Sequence, residues 1–287
     1  MEIQTSLLPR EHGAYAQLAF PLVTGLGLAV PSLPTVALAL AAVAFFLANE
    51  PVAILLGARG KRLEEKLGEQ ARSRGAILAG LGIGLGLLGV CTGGGILWPA
   101  LAYPMAAAAL LIPVVLLGKQ KTLLGEFLVI TTFATLVLPL AAASGAHPMR
   151  AGLAAAVWWI SFGLGTLEVH AIKASLRDSA KRQWTRLGSP LAAGATVLAA
   201  LWLALGQASP WLKALASGSP SGREAGDFLP WADAAMRHLP PSAAALLPPA
   251  LAILVLSMLR VHPRHLKRVG WTLVGANTLA LVLLLQG

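Results

Sequence analysis

Apolar residues occur along this chain in runs of 18 to 24 positions, and short polar segments separate the runs. A helix of about 20 mostly apolar residues crosses the hydrocarbon core of a bilayer. The pattern therefore predicts an all-α fold, a polytopic membrane bundle of about nine transmembrane helices. The predicted helices span roughly 14–31, 34–57, 76–96, 98–117, 122–144, 151–172, 189–207, 242–259 and 268–286.

Lysine and arginine are concentrated in every second connection between these runs. Of the 22 Lys and Arg residues, 18 lie in the N-terminal segment and the even-numbered connections. Cytoplasmic loops preferentially retain these residues because moving them across lipid is costly. The distribution predicts a multi-pass protein of the bacterial inner (cytoplasmic) membrane, with its N-terminus in the cytoplasm and its C-terminus outside. The four remaining cations are Arg150, Lys213, Arg223 and Arg237.

The composition excludes one large water-soluble core. Hydrophobic residues make up 56% of the chain and charged residues only 12%, whereas soluble domains carry about 25% charged residues. The net charge of +10 would suggest nucleic acid if it formed one continuous face. Because it is divided among short loops, we expect contact with membrane lipids and their anionic headgroups, and no nucleic acid. The single cysteine, Cys91, excludes an internal disulfide.

The domain prediction is a single transmembrane domain over residues 1–287. It includes a cytoplasmic N-terminal segment at 1–13, cytoplasmic polar loops at 58–75 and 173–188, and an external loop at 208–241. Part of the external loop is rich in Leu, Trp and Ala, which predicts a short amphipathic helix on the membrane surface. Glycines recur in the third predicted helix and predict close helix packing through small residues.

Ionisable side chains inside apolar runs are costly and usually face a cavity or a partner. Asn49 and Glu50 lie near the end of the second predicted helix, and Glu126 lies near the start of the fifth. Glu168 and His170 lie near the end of the sixth. All of them fall at predicted cytoplasmic ends. We therefore expect them to converge on one cavity that opens to the cytoplasm.

Three potential cations follow one another on a helix face, because His170, Lys173 and Arg177 have the spacing i, i+3 and i+7. Such a row suits an anionic headgroup or a diphosphate. The alternative is that Lys173 and Arg177 only mark the membrane boundary and extend toward water. Acidic residues at the membrane interface do not help to set the orientation of a span, so we expect a functional or pairing role for Glu50 and Glu168. Either carboxylate could pair with a nearby Arg rather than bind metal.

A polar stretch also precedes the first predicted helix. Arg10 is an ordinary positive-inside anchor, whereas Glu11 and His12 are not needed for topology. One adjacent Glu and His do not chelate a metal well without further ligands.

These features together resemble the UbiA superfamily of intramembrane prenyltransferases. Arg10–Pro21 (REHGAYAQLAFP) is similar to the family's opening segment and its first, proline-containing helix. Asn49–Glu50 stands where the first Asp-rich motif of the family begins with Asn-Asp. Gly118–Glu126 (GKQKTLLGE) is similar to a Lys-rich connection of quinone-pathway members, and Arg264–Leu285 to their last helix. More narrowly, the strings EHGA at Glu11–Ala14 and NEP at Asn49–Pro51 resemble the YwiC-like family of bacterial membrane proteins.

The superfamily resemblance implies a set of site residues. It implies catalytic roles for Asn49, Glu50, Glu168 and His170, with Glu50 and Glu168 as ligands of Mg²⁺. The residues implied to bind substrate are Arg10, Glu11, His12, Arg59, Lys61, Arg62, Lys119, Lys121, Glu126, Lys173, Arg177 and Asp178.

The chain departs from the superfamily where further acids are expected. Ala53, Gly57 and Ile172 stand at positions that carry carboxylates in the family, and Asp178 is displaced beyond the second motif. Because Mg²⁺ requires near-octahedral oxygen ligation, nearby Lys and Arg residues would have to replace much of the metal's charge.

Three functions remain open from the sequence. The first is a divergent prenyltransferase that acts on a lipophilic isoprenoid substrate in a cavity open to the cytoplasm. The second is a non-catalytic protein that binds a lipid, a quinone or haem, or an assembly factor. The third is a small-solute transporter, which ranks lower because the polar residues lie near one face and not at the bilayer midplane.

Overall fold

A computed structural model describes residues 7–8, 12–174, 181–206, 229–259 and 261–286. Within this part of the chain the regular structure is helical and contains no strand, so the predicted all-α class is confirmed. The helices are α1 (His12–Gly27), α2 (Leu33–Leu55), α3 (Lys61–Gly93), α4 (Leu97–Leu116), α5 (Leu123–Ala134), α6 (Val137–Ala143), α7 (Pro148–Ala174), α8 (Lys181–Gly206), α9 (Leu229–Met258), a 3₁₀ turn (Pro263–His265) and α10 (Leu266–Gln286).

A helix lies at each of the nine predicted positions in the part of the chain that the structure describes. Seven of these segments are long and apolar enough to cross a membrane, counting α5 and α6 as one. The other two are shorter: α1 has 16 residues, and the apolar part of α8 covers Gly188–Leu201. The chain is therefore a multi-pass, membrane-type helical protein.

The polar segment 58–75, predicted as a loop, is mostly helical, because α3 begins at Lys61. Its Lys, Arg, Glu, Gln and Leu residues are good helix formers. Leu67 and Ala71 are buried at a four-residue spacing and pack against Ile54 of α2. Hydropathy locates the membrane boundary, but it does not detect a helix that continues beyond it.

The other predicted polar loops also contain helix. Helix α8 begins at Lys181 and includes the last residues of the segment 173–188, and α9 begins at Leu229 inside the segment 208–241. Residues 175–180 and 207–228 of these two segments lie outside the described residues.

The chain divides into two compact units, Met1–Ala151 and Gly152–Gly287. In the first unit α2 and α3 pack closely as an antiparallel pair. A Cβ atom built on Gly89 would lie 2.7 Å from Cγ of Leu38, and one on Gly82 would lie 3.0 Å from the ring of Phe45. The predicted role of small residues therefore holds for these two glycines, whereas Gly80 has nothing within 4 Å.

The start of α2 is fixed by its cap. Ser32 and Thr35 form a capping box, and the Ser32 hydroxyl also donates a hydrogen bond of 2.8 Å to the carbonyl oxygen of Ala143 at the end of α6. The fifth predicted span is broken between α5 and α6. Pro139 lacks an N–H group and cannot bond the carbonyl of Thr135, which lies at the break.

In the second unit, helices α7 to α10 contribute to one apolar core. Leu164 of α7, Ala193 of α8 and Ile253 of α9 are buried together, and Leu273 of α10 packs against them. Leu273 also lies against Gly165, where a built Cβ atom would be 3.3 Å from it. The same three helices, α7, α8 and α9, also meet at Glu168, a carboxylate that is buried in this unit.

Candidate functional site

The first candidate site lies where α2 ends and α3 begins. Glu50 is in the penultimate turn of α2, and Arg59 is in the short turn that leads into α3. Gly57 and Gly60 adopt φ values of +69° and +92° in this turn. L-residues rarely adopt such values, so the two glycines allow the chain to reverse tightly.

Arg59 reaches back to neutralise Glu50. Its Nη2 atom lies 2.5 Å from Oε2 of Glu50, and the two side chains are 29% and 2% exposed. A buried carboxylate without a partner would cost several kcal/mol, so this ion pair is what permits Glu50 inside an apolar helix. The Nε atom of Arg59 is buried and has no hydrogen-bond partner among the described residues.

The first turn of α3, next to this pair, carries both cations and the acid Glu64. Lys61 and Arg62 are exposed in the first turn of α3. The predicted residues Lys119 and Lys121 are exposed in a separate place, the connection between α4 and α5. Asn49, although adjacent to Glu50, is itself exposed, because successive helical residues point about 100° apart.

Glu126 occupies the first turn of α5 and is half-buried. The helix is capped by the Thr122 side chain, which accepts a hydrogen bond of 3.3 Å from the Gly125 N–H. A carboxylate in a first turn is stabilised by the partial positive charge of the helix N-terminus. Helix electrostatics therefore favours a carboxylate at this position.

The second candidate site is built on Glu168 of α7, in the Gly152–Gly287 unit. Glu168 is 3% exposed. Its Oε2 atom accepts hydrogen bonds of 2.6 Å from the hydroxyl of Ser189 on α8 and of 2.8 Å from that of Ser257 on α9. Three helices thus converge on one carboxylate oxygen. Neither serine was predicted as a site residue from the sequence, although both are small polar residues inside apolar runs.

The remaining predicted residues of this region are less buried or lie outside the described residues. His170 is half-buried and Lys173 is exposed near the end of α7. His12 is the first residue of α1. The predicted residues Arg10, Glu11, Arg177 and Asp178 lie outside the described residues.

The predicted shared cavity involves residues of both compact units. Glu50 and Glu126 belong to Met1–Ala151, whereas Glu168 and His170 belong to Gly152–Gly287. Their convergence stays a prediction.

The carboxylates within each unit do not fit a Mg²⁺ site. No group of three or more His, Cys, Asp or Glu side chains that could hold a metal ion occurs among the described residues. Oε2 of Glu50 is occupied by Arg59, and Oε2 of Glu168 accepts two hydroxyl donors. The described part of either unit therefore lacks the cluster of carboxylates that Mg²⁺ ligation in this kind of site needs.

The comparison with known proteins concerns the N-terminal unit. The family model described as YwiC-like protein matches residues 8–142. No curated protein and no solved structure matches the chain. The match takes in both strings noted in the sequence, Glu11–Ala14 and Asn49–Pro51, and most of the Met1–Ala151 unit. The resemblance to the YwiC-like family is therefore confirmed over residues 8–142.

Proposed function

We propose that this membrane protein binds an anionic lipophilic molecule of the isoprenoid diphosphate class at the cytoplasmic ends of α2 and α3. The observation that carries the proposal is the state of Arg59. It is held in place by Glu50, yet it is 29% exposed and keeps one buried donor, Nε, without a partner among the described residues. A phosphate group is a suitable acceptor here, because its oxygens match the arrangement of the N–H donors of a guanidinium.

The charge around Arg59 favours an anion. Glu50 neutralises Arg59, and the first turn of α3 carries two exposed cations, Lys61 and Arg62, together with one acid, Glu64. In this first turn, unpaired backbone N–H groups and the helix dipole also attract negative charge. The apolar faces of the adjoining spans can pack against an isoprenoid chain. The expected ligand is therefore amphipathic, with an anionic head and an apolar tail.

The arrangement supports binding without metal-dependent transfer. Ionisation of a prenyl diphosphate through Mg²⁺ requires several carboxylates around the ion. The buried carboxylate at this site, Glu50, has its Oε2 atom engaged by a cation. We therefore place the non-catalytic binding function first.

Prenyl transfer of the UbiA type is the second candidate. It is favoured by the burial of a second carboxylate, Glu168, whose surroundings are hydroxyl groups and not an ion pair among the described residues. Such a carboxylate keeps its capacity to accept a further ligand on Oε1.

The test uses purified full-length protein in nanodiscs and radiolabelled farnesyl diphosphate, with farnesol as the uncharged analogue of the same chain. We expect saturable binding of the diphosphate, at least tenfold weaker binding of farnesol, and weakened diphosphate binding in Arg59→Gln. Lys66→Gln, an exposed charge on α3, is the matched control. If Arg59→Gln prevents folding, Lys61→Gln and Arg62→Gln replace it in the test, and each is expected to weaken diphosphate binding.

Equal binding of farnesol and farnesyl diphosphate would contradict the proposal. A quinone or haem that binds more tightly than the diphosphate, and independently of Arg59, would move the function to that ligand class. Formation of a prenylated acceptor in the presence of Mg²⁺ would establish the second candidate.

A further inference from the structure

An open groove of about 530 Å³ lies along one side of α3, at the point where this helix changes from polar to apolar. Its polar end is formed by Glu69, Ser73 and Arg74, and its apolar end by Leu7, Ile77 and Leu78. The groove belongs to the Met1–Ala151 unit and is separate from the Glu50–Arg59 pair. It has no part in the function proposed above.

The depth of the groove in the membrane follows from the sequence of α3. Residues 75–93 carry no charge. At 1.5 Å per residue they extend about 28 Å, close to the thickness of the hydrocarbon core. Arg74 is therefore at the level of the lipid headgroups, and Ile77 lies where the acyl chains begin.

The groove contains charges of both signs that are not paired with each other. Among the described residues, no ion pair joins Glu69 or Arg74 to another side chain, whereas Arg59 pairs with Glu50. Glu69 is one turn further from the apolar stretch than Ser73 and Arg74. A ligand that complements this groove has an apolar tail, then an anionic group, then a cationic group.

The apolar wall does not depend on a ligand for its position. Leu7 packs against the buried cluster of Ile54, Leu67 and Ala71, which joins α2 to α3. It is therefore held beside Arg74 and Leu78 by the packing of the protein itself.

We infer that the groove binds a glycerophospholipid with a primary ammonium headgroup, which is the chemistry of phosphatidylethanolamine. Arg74 and the hydroxyl of Ser73 bind the phosphate, Glu69 accepts hydrogen bonds from the ammonium, and the acyl chains lie along Leu7, Ile77 and Leu78. A quaternary choline group cannot donate those hydrogen bonds. An anionic headgroup such as phosphatidylglycerol meets the negative charge of Glu69 without a cation to offset it.

The experiment is native mass spectrometry of the full-length protein released from micelles with equal amounts of phosphatidylethanolamine, phosphatidylcholine and phosphatidylglycerol of identical acyl chains. We expect retained phosphatidylethanolamine to exceed each of the others about two- to fivefold, the scale of an exposed ion pair. Glu69→Gln is expected to abolish the preference over phosphatidylcholine, and Arg74→Gln to reduce retention of both. The controls are Glu65→Gln and Arg72→Gln, neighbouring exposed charges that do not line the groove.

Equal retention of the three lipids, or the highest retention for phosphatidylglycerol, would overturn the inference. So would a preference that Glu65→Gln or Arg72→Gln removes as fully as Glu69→Gln does. A photoactivatable phosphatidylethanolamine provides a test that needs no variant. Crosslinks to the peptide containing residues 69–78 support the groove, and crosslinks confined to other segments refute it.

Discussion

The Nη2 atom of Arg59 lies 2.5 Å from the Oε2 atom of Glu50, so a residue in the turn after α2 neutralises a carboxylate buried within that helix. The two residues are nine positions apart in the chain. The pair therefore links two neighbouring parts of the chain, the end of α2 and the turn that follows it. It stabilises both the carboxylate and the turn that starts α3.

Removing one member of this pair is expected to cost more than removing both. Arg59→Gln leaves a buried carboxylate without its cation and is expected to lower the free energy of unfolding by about 3 kcal/mol. The double variant Glu50→Gln with Arg59→Gln is expected to recover most of this loss. Unfolding in mixed micelles measures the effect, with Arg62→Gln as the control. An equal loss for Arg59→Gln and Arg62→Gln would show that the pair contributes nothing.

The glycines of α3 are expected to respond differently to the same substitution. In Gly89→Ala the new methyl group would lie 2.7 Å from Cγ of the buried Leu38, so we expect a loss of about 1 to 3 kcal/mol. Gly80→Ala places its methyl group in open space and removes a flexible residue from a helix. It is expected to be neutral or stabilising by up to about 1 kcal/mol. Thermal unfolding midpoints of the two variants, compared in one detergent, decide the point. Identical shifts would argue against the observed packing of α2 on α3.

The serines around Glu168 are expected to contribute to stability. Ser189→Ala and Ser257→Ala each remove a hydrogen bond to a buried carboxylate, so we expect each to cost about 1.5 to 3 kcal/mol. Ser161→Ala is the matched control, because Ser161 is 2% exposed and its hydroxyl has no partner among the described residues. That substitution is expected to be neutral or stabilising. A loss in Ser161→Ala equal to the other two would contradict the arrangement at Glu168.

The predicted cavity shared by Glu50 and Glu168 can be tested by ligand binding. Unlike the site proposed at the ends of α2 and α3, the predicted cavity requires Glu168 as well as Glu50, so on that prediction Glu50→Gln and Glu168→Gln both weaken binding of labelled farnesyl diphosphate by at least tenfold. Lys66→Gln is expected to leave binding unchanged, because Lys66 is exposed on the polar half of α3. Equal effects of all three substitutions would count against a common site. An effect of Glu50→Gln alone would confine the ligand to the N-terminal unit.

The predicted orientation is tested by reporter fusions. Alkaline phosphatase folds only outside the cytoplasm, where its disulfides form, and is expected to be active when fused after Gly287. A green fluorescent protein fused before Met1 is expected to be fluorescent in the cytoplasm. The reverse pattern would overturn the assignment made from the Lys and Arg distribution.

The sequence predicts the spans well because burial in lipid imposes a simple rule on length and polarity. Helices α2 and α4 end within two residues of their predicted limits. The same rule does not detect the first half of α3, which is polar and helical from Lys61. The break before Pro139 follows from the missing N–H group of proline, which the sequence does show.

The partners of the two buried carboxylates differ in how far the sequence reveals them. Arg59 follows Glu50 closely in the chain, so local geometry brings them together. Ser189 and Ser257 are 21 and 89 positions from Glu168, and neither carries a charge that would draw attention to it. Only the packing of α7, α8 and α9 brings these hydroxyls to one oxygen.

Helix α3 continues without interruption from its charged stretch, which ends at Arg74, into its glycine-rich stretch, which begins at Gly75. The two stretches therefore form one continuous helix, and the directions of their side chains around its axis are fixed relative to each other. Inserting a single residue at that junction would turn Glu69 and Arg74 by about 100° around the axis relative to the glycines that contact α2. Deletion of one residue would turn them by the same angle in the opposite sense. Length changes there are thus far more disruptive than most single substitutions on the exposed side of the helix.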